Sequence, residues 1–498
     1  MNYLVLSEVS RKQDYIFKSN KLLENVGASE IIKYVTEELP QKLLAENNGE
    51  DIFQGGGKSL YIFNNEKDAL NFISEFSIKV LKDFTGVELF IVKHPFDMEG
   101  DDIISEIDKT YEKLAKKKNE RKSSIRQISF GIEKKCVSTG FPAADKNNDG
   151  KPISKEIKTK LDYAKNNKND ISNVIRDDDV WCKELDDMYK KENNKSYIAV
   201  VHIDGNKMGD KFDKFKEQYR SNNCKIDLNY NKEYMKQLKE FSEKIKAAYF
   251  ESFKDMCNAI YQNIEKLKDV TNIEQHKFPL RSLILAGDDV CFVTYGEIGI
   301  ECARIFIESL NKKVISIKGG EKFKLNACAG VAIVKAHCPF SKAYELAEQL
   351  CANCKNKITQ DNKGDYSMID WHIEQGEISG SISEIRNKMY SLNGCNLNMR
   401  PLYINNPDSW RSYQNFKVAL KNISSDKAPR SKIKELREVL RQGIDSSEKY
   451  IRVNSLENVI QPLNETKGNY GFYVEDNRTC MYFDAIEIMD MFIEFEEV

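Results

Sequence analysis

The sequence predicts an α+β fold, with two related α/β units followed by a C-terminal helical domain. Two observations carry this. Short apolar runs alternate with segments of helical spacing. The order strand, helix, glycine-tipped hairpin then occurs twice, for which an internal duplication is the simplest account. The length of 498 residues suits this count, at roughly 150 residues per domain.

Residues 1–130 make the first unit. Tyr3–Leu6 is an apolar strand, and Ile31, Val35 and Leu39 share one helix face. Asp51–Gln54, the turn Gly55-Gly56-Gly57 and Leu60–Phe63 read as strand, turn, strand. Phe72–Val80 is helical, Val87–Val92 is a strand, and Asp101–Lys122 is a charged helix. Residues 131–195 are polar, rich in Lys, Asn and Asp, and form a connector with some helix.

Residues 196–375 repeat the pattern. Tyr197–Ile203 is an almost continuous apolar run, as in a strand buried on both faces. A helical region runs from about Asp210 to Val270, followed by Leu283–Ala286, the tip Gly287-Asp288-Asp289 and Val290–Thr294. Ile300–Val314 is a helix, Ala327–Val334 a strand and Ser341–Lys357 a helix. Residues 376–498 are charged and largely helical, with Lys432–Arg441 the clearest segment.

Composition narrows the function. With 76 Lys plus Arg against 78 Asp plus Glu, the net charge is −2, which argues against binding polyanions through bulk charge. The 41% hydrophobic content suits a packed core and not a disordered chain. No run approaches the roughly 18 apolar residues of a membrane span. The start MNYLVLSEVSRKQ has no signal-peptide pattern, and the 12 scattered cysteines suit reduced thiols, so a cytoplasmic location is expected. The five histidines form no metal-binding spacing.

The candidate chemistry lies in Ile203-Asp204-Gly205-Asn206-Lys207-Met208-Gly209 and Gly287-Asp288-Asp289. Asp204 ends a buried strand and faces an acidic hairpin tip. Carboxylates so placed suit Mg²⁺ or Mn²⁺, hard ions that share oxygen ligands with phosphates. Two such ions activate an attacking hydroxyl and stabilise leaving pyrophosphate. Gly205 and Gly209 flank a turn whose N–H groups can approach phosphates, and Lys207 adds charge. Strand alternation lets only one of Asp288 and Asp289 face Asp204, and Asp288 is the choice.

Together, HIDGNKMG and LAGDDV resemble the second palm of the large polymerase-cyclase subunit of type III CRISPR effector complexes. Ser10–Phe17, Gly27-Ala28-Ser29 and the Gly55–Gly57 tip are similar to that family's degenerate first palm. The resemblance implies two ferredoxin-like palm domains of nucleotidyl cyclase type plus the helical domain. It implies a cyclase that makes a cyclic oligonucleotide messenger from ATP in antiviral defence, with two Mg²⁺ or Mn²⁺ ions and a separate effector. Asp204, Asp288, Asp289 and Lys355 would be catalytic, and Ile203, Asp204, Asp288 and Asp289 would hold metal. Gly205, Asn206, Lys207, Met208, Gly209 and Gly287 would bind nucleotide, with Gly56, Gly57, Lys58 and Ser59 across the interface.

The sequence departs from the family at four points, the mildest being Ala286 in place of the first glycine of the hairpin motif. Asn206 replaces a second carboxylate and offers a neutral oxygen. The nuclease domain that often precedes the palms is not expected. Cys136 and Cys182 are too few for the zinc module between palms. Two alternatives stay open, a silent scaffold subunit of an RNA-guided complex and a GTP-using cyclase. Gly57-Lys58-Ser59 lacks the leading glycine of a P-loop. Asp145–Glu156 matches a calcium loop only without its entering helix, and Cys351 and Cys354 read as buried structural thiols. Lys116–Lys122 reads as a solvated helix face.

Overall fold

The computed structural model describes residues 1–120, 129–165, 174–188, 196–223, 225–316, 322–361, 365–374, 376, 380–392, 394–463, 468–473 and 478–496. The first unit runs β1 (Asn2–Ser10), α1 (Lys12–Ile16), α2 (Leu22–Lys33), α3 (Leu39–Glu46), β2 (Gly49–Gly55), β3 (Lys58–Phe63), α4 (Glu66–Asp83) and β4 (Glu88–Phe96). Its sheet has the order β2-β3-β1-β4, all antiparallel. α5 (Ile103–Asn119) covers β4, so the predicted helix to Lys122 ends earlier, and 121–122 lie outside the described residues.

Between α2 and α3 the chain makes a π turn, Tyr34–Glu38. Pro40 explains it, because proline has no N–H to give to the carbonyl four residues back, which is Thr36. The Ser59 hydroxyl supplies the missing bond, donating to Thr36 at 3.1 Å.

The connector carries α6 (Lys155–Lys165), which packs on α2. Lys160 is fully buried there, held by Glu156 at 2.8 Å and by the Tyr15 carbonyl at 2.8 Å. In the candidate calcium loop, Asp145 is paired with Lys158, and Asn147 caps a turn through the Asp149 and Lys151 amides. That is a solvated Asx-type turn.

The second unit repeats the topology. It contains β5 (Tyr197–Gly205), α7 (Met208–Asn222), α8 (Leu228–Gln262), β6 (Leu280–Ala286), β7 (Asp289–Tyr295), α9 (Gly299–Lys312), β8 (Ala327–Lys335) and α10 (Phe340–Gln360). The order β6-β7-β5-β8 matches β2-β3-β1-β4 strand for strand. β9 (Met368–Ile373) and β10 (Leu402–Tyr403) extend this sheet beyond β8. Ile198–Val201 and Ile203 are buried because α8 and α9 cover one face and α10 the other.

The C-terminal part consists of α11 (Ile382–Met389), α12 (Tyr413–Ile423), α13 (Arg430–Leu440), α14 (Ile444–Val453) and α15 (Phe483–Ile488). A small sheet of two-residue strands accompanies these helices. Arg400 is buried, 3.1 Å from Asp484 and 3.0 Å from Glu487, and donates to the Trp371 carbonyl at 2.5 Å. That paired buried cation ties the helical part to β9, since burying either partner alone would be costly. Cys351 and Cys354 are buried in α10, as read from sequence. No helix among the described residues is long and apolar enough to cross a membrane.

The two units face each other. α8 packs along β2, with Lys239 3.0 Å from Asp51 and the Ser242 hydroxyl donating to the Gln54 carbonyl at 3.4 Å. Lys246 pairs with Glu37 at 2.6 Å.

Candidate active site

The site lies where the two hairpin tips meet. The two predicted motifs meet there, but it is Asp289, not the expected Asp288, that lies opposite Asp204. β5 and β7 pair so that Asp204 lies opposite Asp289, with Ile203 between Val290 and Ala329. Directly opposed residues of an antiparallel pair share a face. Asp204 and Asp289 thus share the face that α10 covers, and Asp288 occupies the turn.

α10 approaches this face closely because β8 has glycine at position 330. A Cβ there would fall 2.0 Å from the Ala347 carbonyl oxygen and 2.5 Å from the Cys351 nitrogen. The close approach brings Lys355 to the end of β5. Its Nζ is 2.5 Å from Asp204 Oδ2 and donates to the Gly205 carbonyl at 3.1 Å. Burial would lower the Lys355 pKa, but Asp204 holds it raised.

Asp289 is claimed by the first unit. Lys12 Nζ is 2.9 Å from its Oδ2, and the Gln13 amide donates at 3.3 Å. His202 Nδ1 lies 3.7 Å from the other oxygen. Burial pushes the Asp289 carboxyl up, but Lys12 and His202 outweigh it and hold it below the ordinary value.

Asp288 sits beside Gly205, whose N–H donates to the Asp288 carbonyl at 3.1 Å. A Cβ on Gly205 would fall 2.6 Å from Met208 Cγ, 2.7 Å from Tyr249 Oη and 2.9 Å from Asp288 Cβ, so the glycine permits this crowding. The Asp288 carboxyl is pushed up to about 6, first by burial and then by the charge of Asp204. The Tyr249 hydroxyl is fully buried with no hydrogen-bond partner among the described residues, and its pKa is raised by burial and by Asp288 and Asp204.

A cavity of about 1080 Å³ opens at this point, lined by Gly55–Gly57 of the first tip and by Met208, Tyr249, Gly287 and Asp288. A Cβ on Gly287 would sit 3.9 Å from the Gly56 amide nitrogen, so the tips nearly touch. Lys207 and Gly209 are exposed at the start of α7, where helix N–H groups are free to meet an anion.

Some expected residues lie elsewhere. Ser59 is buried on Thr36, and half-buried Lys58 stacks over Tyr111 with its Nζ 5.5 Å from the ring centroid. Neither lines the cavity, which corrects their placement with the nucleotide set. Asn206 is buried with its amide donating to the Tyr366 carbonyl at 3.2 Å, and its own carbonyl accepts from Lys211 at 2.7 Å, so it braces the turn. Lys12 and Tyr249 had no sequence signal of their own. Lys12 meets its partner only through the fold, and Tyr249 follows the apolar spacing of α8.

Among the described residues, no group of three or more His, Cys, Asp or Glu side chains could hold a metal ion. Asp204 and Asp288 still suit a magnesium-type ion, which takes one or two carboxylates and completes its shell with phosphates and water. Burial and, after it, the charge of Asp204 raise the Asp288 carboxyl, and a bound cation would relieve both.

Residues 197–363 match the family model for Cas10/Cmr2, second palm domain. No curated protein matches the sequence. Solved structures share the fold at low identity. A Csm1–Csm4 cassette in complex with cA4 aligns at 13% identity and TM-score 0.54, over 98% of this chain and 69% of that one. A cassette in complex with AMPPNP gives 13% and 0.52 over 98% and 69%. Csm1 of T. onnurineus gives 13% and 0.52, also over 98% and 69%. Residues 197–363 thus match a second palm domain of Cas10/Cmr2 type, in a chain that resembles the large polymerase-cyclase subunit of type III CRISPR effector complexes.

Proposed function

We propose that the chain is a metal-dependent nucleotidyl cyclase that joins ATP into a cyclic oligonucleotide messenger. The observation that carries this reading is Asp288, which lines an interdomain cavity and is charge-coupled to Asp204 at the adjoining strand end, inside a Cas10/Cmr2-type palm. A hydroxyl of one nucleotide attacks the α-phosphorus of another, a new phosphodiester bond forms, and pyrophosphate leaves with the broken P–O bond.

Asp204, Asp288 and the Ile203 backbone would hold Mg²⁺ or Mn²⁺, which lower the pKa of the attacking hydroxyl and stabilise pyrophosphate. The Gly205–Gly209 turn offers backbone N–H groups to the donor triphosphate. Lys355 keeps a positive charge beside Asp204, where phosphoryl oxygens would gain negative charge. The Gly55–Gly57 tip leaves room for the acceptor nucleotide. Lys12 and Gln13 fix Asp289, which therefore assists by holding the tips together.

The reading extends to a cytoplasmic protein whose product activates a separate effector in antiviral defence. It also includes a companion subunit like the Csm4 of the cassettes. One observation favours a second reading, a silent scaffold subunit: Lys355 and Lys12 already neutralise two of the three carboxylates. Incubating the purified chain with labelled ATP and Mn²⁺ separates the two. The cyclase releases pyrophosphate and loses this in Asp288→Ala plus Asp289→Ala. No release, or release unchanged in that variant, sinks the cyclase. Competition with GTP fixes the base.

A further inference from the structure

A donor and an acceptor in the site stand close together and unjoined. Tyr249, on α8, is fully buried, and its hydroxyl has no hydrogen-bond partner among the described residues. Asp288 is the carboxylate left without a cation. Lys355 pairs with Asp204 and Lys12 with Asp289, whereas Asp288 has no ion pair among the described residues and accepts from its own backbone amide.

Gly205 shows how near the two are. Its φ is not positive, so its missing side chain answers to space and not to backbone conformation. A Cβ there would fall 2.7 Å from Tyr249 Oη and 2.9 Å from Asp288 Cβ, so both atoms stand within 3.0 Å of one point. The Asp288 carboxyl extends from that Cβ, and a turn about its Cα–Cβ bond can bring an oxygen to the hydroxyl. Burial and, after it, the charge of Asp288 raise the Tyr249 pKa, as this proximity requires. The packing of the ring does not need the oxygen. The ring lies 6.0 Å from Phe306 of α9 between centroids, and a phenylalanine would fill the same space. Burying an O–H without an acceptor is costly, and that cost is offset only in a state in which the hydroxyl is paired.

We infer that Tyr249 is a positioning residue for Asp288: with one oxygen of the carboxylate on a divalent cation, the Tyr249 hydroxyl donates to the other and holds the group in place. Donors of this kind orient carboxylate ligands and tune ion affinity. The inference rests on the cyclase reading, which supplies the cation, and adds how the cation site is held. Lys355 and Lys12 fix the other two carboxylates by charge. Tyr249 fixes Asp288 by a neutral donor, which leaves its negative charge for the cation. Gly205 then has a second task, since a side chain there would stand in the path of the hydroxyl.

Calorimetric titration of the full chain with Mn²⁺, without nucleotide, tests this beside thermal melts of the metal-free chain. Tyr249→Phe should weaken Mn²⁺ binding by about tenfold, the lower end of what losing a donor to a metal ligand costs. The same variant should melt at a higher temperature, because an unpaired buried hydroxyl is gone. Phe306→Leu loosens the packing of the ring without touching the hydroxyl, so it should lower the melting temperature and leave Mn²⁺ binding as it is. If Tyr249→Phe fails to fold, fluorine NMR of the chain carrying ortho-fluorotyrosine at position 249 decides the matter. Its signal should shift on addition of Mg²⁺, and should not shift in Asp288→Asn. Unchanged Mn²⁺ affinity or a lowered melting temperature in Tyr249→Phe, an equal loss of affinity in Phe306→Leu, or a silent fluorine signal overturns the inference alone. No Mn²⁺ binding by the unmodified chain, or binding that Asp288→Asn leaves unaffected, overturns the cyclase reading and this one together.

Discussion

Gly56 and Gly57 turn the first hairpin with φ of +61° and +85°, whereas φ is positive only at Gly287, +68°, in the second. The first is the pattern of a type I′ turn, which needs φ above zero at both central positions and so favours two glycines. The second follows type II′, which needs it only at the first position, leaving the next free to carry a side chain. Asp288 occupies that position. Two hairpins of one topology thus differ by a turn type, and only the second presents a carboxylate at its apex. The first contributes backbone and space instead.

Three perturbations would break or sharpen this comparison. The largest effect is expected at the clasp that joins the tips. Lys12→Met leaves the buried Asp289 without its lysine, and breaking such a pair costs roughly 3–5 kcal/mol. Denaturant unfolding should show this loss, and Asp289→Asn combined with Lys12→Met should recover much of it. A double variant as unstable as the single one would show that the ion pair is not what couples the tips.

Asp288→Asn comes next, and here stability rises. The carboxyl titrates near 6 in the folded chain and near 3.8 when unperturbed, so the folded state binds the proton more tightly. Stability from this group is therefore present below pH 3.8 and lost as pH rises through about 6. Two pKa units correspond to roughly 2–3 kcal/mol. Without metal, Asp288→Asn should be more stable than the parent at pH 7 and equal to it near pH 3.5. Mn²⁺ affinity of the parent should fall below pH 6 as the carboxyl takes up its proton. Thermal melts at several pH values would read the first effect and Mn²⁺ titration the second. A flat pH profile would remove the argument for a like-charge pair.

The smallest effects lie at the glycines. Gly205→Ala collides with Met208, Tyr249 and Asp288, an overpacking that costs roughly 1–3 kcal/mol. Gly56→Ala meets no atom within 4 Å and carries only the strain of its positive φ, about 1 kcal/mol. A melt in which Gly56→Ala is the worse of the two would contradict the crowding described at Gly205.

The hydrophobic pattern already specified both sheets. Tyr197–Ile203 could only be a strand covered on both faces, and the glycine punctuation marked both tips. Helix ends moved by a few residues, as at α4, where Asn65 caps the Asp68 amide at 2.9 Å and starts the helix before Phe72. The short C-terminal strands were not legible, because two-residue pairings leave no period in the sequence.

In the site, the sequence determined which residue types meet, Asp204, Asp288 and the flanking glycines, while Lys355 came from the family resemblance. Those types are set by local needs, namely a strand end, a turn apex and a phosphate-sized gap. Which carboxylate does what was decided only by the tertiary structure. Strand register put Asp289 across from Asp204, and packing of the first unit brought Lys12, 277 positions away in the chain, onto it. Packing likewise turned Ser59 to the carbonyl that Pro40 leaves free. Charges act through space with the dielectric of their surroundings, and a linear sequence records neither the distance nor the burial.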